Sequence, residues 1–302
     1  MKIAVDFPSV AYREGPQQVL ALASAIEQIG YDEIAAFDHV VMGYPSQDRR
    51  TIYPAEMPIL EALMLLANIA AVTSKVSLST EVLVLPQRQP VLVAKQISTL
   101  DTLSQGRVRL GIGVGWQDSE YDALEEDFST RGRRMDEAID LLRSYWHGGR
   151  IEFRGSYYDS HDMGMEPVSP QGANIPIWVG GESPAALRRT AQKADGWMAS
   201  GVTDEQALLC VADIRRQAEE FGRDPSKIGF QLMLQPPPKS DADKRFYTDL
   251  DAVAERAAVV NAMGFEWTSV NATAIFQSGA RSVDAMIEQL EAIHTRIRTE
   301  VD

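Results

Sequence analysis

The sequence predicts an α/β protein, a single (β/α)8 TIM barrel spanning residues 1–302 as one domain. Three observations carry that expectation. Short apolar runs alternate with helical periodicities in eight β-then-α units, no linker-like break separates the units, and Pro176 to Val179 is a nearly unbroken apolar run suited to a parallel sheet covered on both faces. A doubly wound open sheet is the alternative arrangement of the same units.

The first unit joins the β-rich stretch Ile3 to Phe7 to a helix with Val19, Leu22, Ile26 and Ile29 on one face, stopped by Gly30. Ile34 to Phe37 forms the second strand and ends at Asp38-His39, after which a polar loop over 43–58 leads into an apolar helix at 59–73. The third strand, Val76 to Leu85, precedes a helix carrying Val93, Ile97 and Leu100, and the fourth, Val108 to Ile112, runs into Gly113-Val114-Gly115-Trp116. Met135, Ile139, Leu142 and Trp146 mark the next helix, and 148–175 reads as an irregular insertion. After the fifth strand come helix 184–194 and strand Gly196 to Ala199. A helix on the spacing Ala207, Val211, Ile214, Ala218, Phe221 then leads to strand Ile228 to Leu234. Helix 251–263, strand Phe265 to Val270 and a last helix carrying Val283, Met286, Leu290, Ile293 and Ile297 complete the eight units. A barrel assigns function to its strand C-termini: Asp38-His39, the 80–85 run, Gly113 to Trp116, Gly180-Gly181 and the loop holding Pro236 to Pro238.

Twenty-nine basic against 43 acidic side chains give a net charge of −14, which disfavours nucleic acid and acidic membranes as partners and favours a small-molecule substrate. Cys210, the one cysteine, excludes an intrachain disulfide or a CxxC metal knuckle and reads as an inert buried thiol at a helical core spacing. The opening MKIAVDFPSV lacks a long apolar core and a small-residue cleavage site, and no stretch approaches the roughly 18 uncharged apolar residues that span a bilayer. A cytoplasmic protein is expected.

His39 beside Asp38, at the end of the second strand, is placed to work near neutral pH in a chosen tautomer; the other reading is a hydrogen-bonded loop pair. His147 and His294 read as surface residues, and His161 is open to either reading. The four histidines show no zinc-ligand spacing, and GxSxG is absent, so neither a metal site nor a serine hydrolase is expected. Gly180-Gly181-Glu182-Ser183-Pro184 opens a helix with Ser183 as N-cap and Pro184 at its first position. Such a turn either binds a phosphate through free N–H groups and the helix dipole or is an ordinary capped turn. The glycine run at 111–115 is GxGxG, short of the GxGxxG dinucleotide fingerprint. Trp178, Trp197 and Trp267 read as core, whereas Trp116 ends a glycine-rich strand at the expected mouth.

These segments together resemble the bacterial luciferase-like superfamily, the luciferase-like monooxygenase family of flavin and deazaflavin enzymes, over nearly the whole chain. The carriers are PxRxP (86–90), LDTLSQGR (100–107) and LGIGVGW (110–116) within the stretch 79–116. RGRRMDEAIDLLRSYW (131–146), PIWVGGESPAALRRTAQKADGW (176–197) and the Asp38-His39 pair are similar to the coenzyme F420-dependent oxidoreductase branch.

The resemblance implies a deazaflavin lying across the strand C-termini. Asp38 and His39 match residues near the reactive ring edge, and Glu81 and Val82 match a bulge with a non-prolyl cis peptide that supports the ring. Gly180, Gly181, Ser183 and Pro184 match the phosphate-binding turn, and Gly115 and Trp116 join the cofactor-contacting set. In the sugar-phosphate dehydrogenases of this branch, a Trp lies shortly after Asp-His and a Glu directly follows GxG. Gly43 and Trp116 stand there instead, which argues against a sugar-6-phosphate substrate. The implied activity is hydride transfer between C5 of coenzyme F420 and a small organic molecule. His39 would serve as acid/base, Asp38 would orient it or contact the cofactor, and Trp116 and the 43–58 loop would wall the substrate side. An FMN-dependent monooxygenase using O2 and a non-catalytic flavin or deazaflavin binder are the alternatives. A homodimer is expected from the resemblance alone.

Overall fold

Eight short strands form the wall of a closed parallel barrel. The structure, a computed structural model, describes residues 1–46, 52–234 and 243–301; the Pro236 to Pro238 loop and the middle of the 43–58 loop lie outside the described residues. The strands in chain order are β1 (Lys2–Asp6), β2 (Glu33–Ala36), β3 (Ser77–Thr80), β4 (Leu83–Val84), β5 (Val108–Gly113), β6 (Ile151–Arg154), β7 (Asp159–Met163), β8 (Ile177–Gly180), β9 (Gly196–Ala199), β10 (Gly229–Met233) and β11 (Trp267–Asn271). Their lateral order is β3-β2-β1-β11-β10-β9-β8-β5, and the barrel closes where Leu78 and Ser79 of β3 pair with Val108 and Arg109 of β5. The two-residue β4 lies beside the C-terminal end of β5, with Leu83 opposite Ile112.

The helices are α1 (Pro16–Ile29), α2 (Ala62–Ala70), α3 (Pro90–Leu103), α4 (Asp118–Ala123), α5 (Arg131–His147), α6 (Pro184–Lys193), α7 (Asp204–Glu220), α8 (Leu250–Ala262), α9 (Ala272–Ser278) and α10 (Val283–Val301). Eight follow one barrel strand each, while α4 and α9 are short additions after β5 and β11. Their starts follow local chemistry: Pro16, Pro90 and Pro184 take first-turn positions, and Gln89, Ser183, Thr203, Asp249 and Asn271 cap with their side chains. The face of α1 predicted to be apolar buries Val19, Leu22 and Ile26, and α10 buries Val283, Met286, Leu290, Ile293 and Ile297.

The motif 100–107 is scaffold. Asp101 accepts from Val108 N at 3.1 Å and from Gln171 Nε2 at 2.8 Å, while Arg107 donates to Val76 O at 2.7 Å and Thr73 O at 2.9 Å, saturating carbonyls beyond α2. The N-terminal end of the barrel is filled by a polar plug. The Arg109 guanidinium pairs with Glu33, donates to Gln231 Oε1 at 2.6 Å, and lies 4.3 Å from the ring centres of both Trp178 and Trp267. Burial raises the Glu33 pKa, and Arg109 opposes that shift.

Four expectations need correction. The third strand is not continuous over 76–85: it breaks at a cis peptide between Glu81 and Val82 and resumes as β4. The segment 148–175 is not wholly irregular, because β6 and β7 pair antiparallel as a hairpin whose polar, mostly exposed residues gave no apolar alternation to read. Cys210 is half-buried rather than enclosed, since α7 turns Ala207, Val211, Ile214 and Ala218 inward and leaves it at the margin. Trp267 is only partly buried: it opens β11 at the N-terminal rim, where Lys2 Nζ sits 4.8 Å from its ring centre.

Candidate active site

At the C-terminal end of β2 the chain leaves the barrel wall through Asp38 and His39, which part company. Asp38 turns inward: Oδ2 accepts from Val84 N at 2.9 Å and Oδ1 from Arg88 at 2.6 Å. Arg88 also reaches Glu61 Oε1 at 2.9 Å, so Asp38 and the PxRxP turn tie β2, β4 and the start of α2 together. Burial pushes the Asp38 carboxyl up, and Arg88 and Val84 N–H offset only part of that shift.

His39 is held by a residue that the sequence did not single out. Its Nδ1 lies 3.2 Å from Oε2 of the fully buried Glu120 on α4, whose Oε1 accepts from Val40 N at 2.5 Å and Val41 N at 3.2 Å. Burial opposes ionisation of Glu120, but the hydrogen bond and charge of His39, with the nearby Gln87 amide and Val40 N–H, outweigh it and hold the carboxyl below the ordinary range. Two contacts fix α4 in turn: Tyr121 Oη donates to Val114 O at 2.6 Å, and Gln117 Nε2 to Val41 O at 2.9 Å. The demand of His39 Nδ1 for a partner was the available clue. Nothing in the acidic stretch 118–127 distinguishes Glu120 from its exposed neighbours.

Around His39 stand Trp116, with ring centres 5.5 Å apart, and Tyr53 from the 43–58 loop, at 5.9 Å. The Glu81–Val82 bulge forms the next part of the rim. The Val82 side chain sinks between β5 and β8, where a Cβ on Gly113 would lie 2.6 Å from Val82 Cγ2 and one on Gly180 3.0 Å from Val82 Cγ1. Gly115 takes φ +68°, and a Cβ there would meet Val84 Cγ1 at 2.7 Å. Below the bulge, the buried Asp6 accepts from Ser269 Oγ at 3.2 Å; burial first, then the neighbouring Glu81, pushes its pKa well up.

On the far side of β5, Gly181 takes φ +105°, its carbonyl accepts from Trp197 Nε1 at 2.9 Å, and Ser183 Oγ caps α6 through Ala186 N at 3.2 Å. The structure thus joins His39 with Trp116, Asp38 with Val84, and Val82 with Gly113 and Gly180. The hydrogen bonds of the turn at Gly181, Ser183 and Pro184 are local to β9 and α6 and do not involve His39. His161 lies on the exposed hairpin beside Glu152 and Asp159, and His294 packs its ring 4.8 Å from Tyr31. Among the described residues no helix is long and apolar enough to cross a membrane.

A family model described as luciferase-like monooxygenase matches residues 3–290. The chain belongs to the luciferase-like monooxygenase family. A Mycobacterium tuberculosis relative named only as an uncharacterized protein is 36% identical over 211 residues, which are 68% of this chain and 72% of its own. Two solved structures share the fold end to end. Coenzyme F420-dependent tetrahydromethanopterin reductase from Methanopyrus kandleri has a TM-score of 0.76 at 17% identity, covering 100% of this chain and 99% of that one. The oxygenating constituent of 3,6-diketocamphane monooxygenase from Pseudomonas putida, a type II Baeyer-Villiger monooxygenase in complex with FMN, has a TM-score of 0.73 at 16% identity, with the same coverage. This luciferase-like chain therefore shares its barrel with one protein that depends on F420 and one that holds FMN.

Proposed function

We propose that the protein is an F420-dependent oxidoreductase that transfers a hydride between C5 of the deazaflavin and a small organic substrate. The observation that carries the reading is the clamp on His39: Glu120 occupies Nδ1, so Nε2 is the nitrogen left to exchange a proton beside the aromatic wall of the mouth. The Glu120 carboxyl, held below its ordinary range, is ionised at neutral pH and keeps Nδ1 engaged.

The residues present fit a flat ring with a phosphate-bearing tail. Trp116 leaves 42% of its surface open as a stacking face. A Cβ on Gly181 would meet only Ala186 within 4 Å, so the outer face of the turn is clear for an anion at the start of α6. When bound, the deazaflavin supplies or takes the hydride. Asp38, with Arg88, keeps β4 against β2 beneath the bulge, Glu120 orients His39, and His39 Nε2 gives or takes the accompanying proton at the substrate heteroatom.

The second reading, a monooxygenase using reduced FMN and O2, is favoured by the family's description and by the FMN-holding structural neighbour. Calorimetric titration of the purified protein with F420 and with FMN separates the two. Micromolar or tighter F420 binding with weaker FMN binding is expected, and Gly181→Val weakens it because a branched side chain is excluded where φ is +105°. Tighter FMN binding, with O2 consumed in the presence of reduced FMN, reverses the assignment.

A further inference from the structure

We infer that Asp6 and Glu81 share one proton across the inside of the barrel, and that this proton latches the bulge beneath the mouth, so that a ring-bearing ligand binds while the proton is held and is released as rising pH removes it. The inference goes beyond the proposed function and rests on it only in taking the bulge as the seat of a ring, whichever cofactor brings that ring.

Asp6 ends β1 between β2 and β11, in register with Ala35 and Asn271, and is fully buried. Ser269 Oγ donates to its Oδ2 at 3.2 Å, and its carboxyl is hydrogen-bonded to that of Glu81, the first residue of the bulge. Two ionised carboxylates are acceptors only, so a bond between them requires a proton on one. Asp6 Oδ1 and Glu81 Oε2, both shut off from solvent, meet no other donor among the described residues, which leaves the shared proton and Ser269 to hold the pair. The neighbouring groups do not take over that task. Glu33 on β2 adds a third carboxyl and is paired with Arg109 of β5, while Tyr247, from the short turn before α8, is kept neutral by burial and accepts from Asn271 N at 3.0 Å. Burial first, then Glu81, raises the Asp6 pKa well above the ordinary carboxyl range, so the proton rests on Asp6 and leaves only as pH rises.

The two side chains of the bulge pack on different partners. Glu81 reaches Asp6 inside the barrel while its N–H donates to Ala36 O at 2.9 Å. Val82 fills the gap between β5 and β8 so tightly that a Cβ on Gly113 would lie 2.6 Å from its Cγ2 and one on Gly180 3.0 Å from its Cγ1. These glycines lead directly into Gly115 and Gly181 on the mouth. Removing the shared proton leaves two like charges buried against each other with Glu33 beside them, and the available relief is for the Glu81 carboxyl to turn away from Asp6. Val82 is the next residue in the chain, and a close-packed slot passes the displacement on to the surface above it. Asp6 and Glu81 are thus positioning residues that act on a ligand through Val82.

Asp6→Asn carries a permanent amide donor for Glu81, and Glu81→Gln carries one for Asp6. Each is checked for an unchanged circular-dichroism spectrum, and either serves as the reference if the other fails to fold. At pH 7 the infrared difference between cofactor-free parent and variant is expected to show the carbonyl stretch of a protonated carboxyl, fading as pH is raised toward 9. Calorimetric titration with F420 and with FMN over pH 5–9 is expected to show parent affinity falling relative to the variant as that band fades, by at most about tenfold per pH unit, the limit for loss of one proton. Taking the ratio to the variant removes the titration of the cofactor and of His39 from the comparison. No band at pH 7, a band that persists to pH 9, or a ratio that stays constant while the band fades overturns the inference. Tighter FMN binding overturns the proposed function alone, because the same ratio is then read with FMN. Binding of neither overturns the proposed function and the latch together.

Discussion

Replacing Glu120 with alanine removes the acceptor of three donors at once: His39 Nδ1 at 3.2 Å, Val40 N at 2.5 Å and Val41 N at 3.2 Å. A hydrogen bond to a charged partner contributes about 1.5–3 kcal/mol net, and a donor left buried without a partner forfeits a similar amount. Val40 and Val41 are exposed residues whose N–H groups can turn partly to water, so the lower end applies; three such bonds come to about 4–5 kcal/mol, of which about 1 kcal/mol returns because a carboxylate no longer has to be buried, and Glu120→Ala should destabilise the protein by about 3–4 kcal/mol. At roughly 2 °C per kcal/mol for a chain of this length, the expected fall in Tm is about 6–8 °C. Glu120→Gln retains one acceptor oxygen and should lose about half as much. The loss should depend on pH in a defined direction. The Glu120 carboxyl sits below its ordinary range in the fold, so its contribution is complete above the unfolded value of about 4.3 and disappears as pH falls through the lower folded value. Urea unfolding of parent and Gln variant at several pH values reads both effects, with the gap widest at neutral pH and narrowing on acidification. An alanine variant within about 1 kcal/mol of the parent at pH 7, or a gap undiminished at the acid end, would show that this carboxylate does not anchor the 39–41 segment.

Three further substitutions test other parts of the site. Gly113→Ala forces a methyl group to 2.6 Å from Val82 Cγ2 and should destabilise by about 1–3 kcal/mol; adding Val82→Ala should recover part of that, whereas strictly additive losses in urea would remove the packing argument. Asp6 keeps its proton in the fold to higher pH than in the unfolded chain, where it releases it near about 3.9, so parent stability falls as pH rises through that window, by at most about 1.4 kcal/mol per pH unit. Asp6→Asn stays neutral and should gain on the parent from pH 4 upward; a flat difference would mean that Asp6 ionises normally. His39→Ala should lower turnover by about 10²–10⁴-fold with any responsive substrate found by screening ketones, alcohols, imines and activated enones, followed by F420 absorbance, and full activity across pH 5–9 would leave His39 a positioning residue only.

The barrel was legible because each unit announces itself locally: an apolar run too short for a helix, then a 3.6-residue periodicity, then a glycine or a capping side chain. The break at Glu81–Val82 could not be read that way. Val82 to Leu85 are strand-forming residues like those before them, and the break coincides with the packing of Val82 against two glycines distant in sequence, Gly113 and Gly180. Family motifs located His39 and Trp116, but the partners of these residues are tertiary. Glu120 lies among acidic residues that mostly face solvent, and it is buried because Tyr121 anchors α4 to the end of β5. Tyr53 joins His39 from a polar loop without periodicity, where one aromatic residue gives no sign of its direction. Asp38-His39 read as one functional pair in sequence; in space their side chains diverge, one to the scaffold through Arg88 and the other to the mouth.

The plug of Arg109, Glu33 and Gln231 between Trp178 and Trp267 leaves each of its three polar residues at most 5% exposed. Such a stopper closes the N-terminal end of the barrel to a ligand. Under the proposed function, reactant and product pass the same rim beside Trp116 and Tyr53, so the product competes with the next substrate for that place. A change at the stopper is therefore expected to register in folding stability, because its three polar residues are buried at the end of the barrel opposite the mouth.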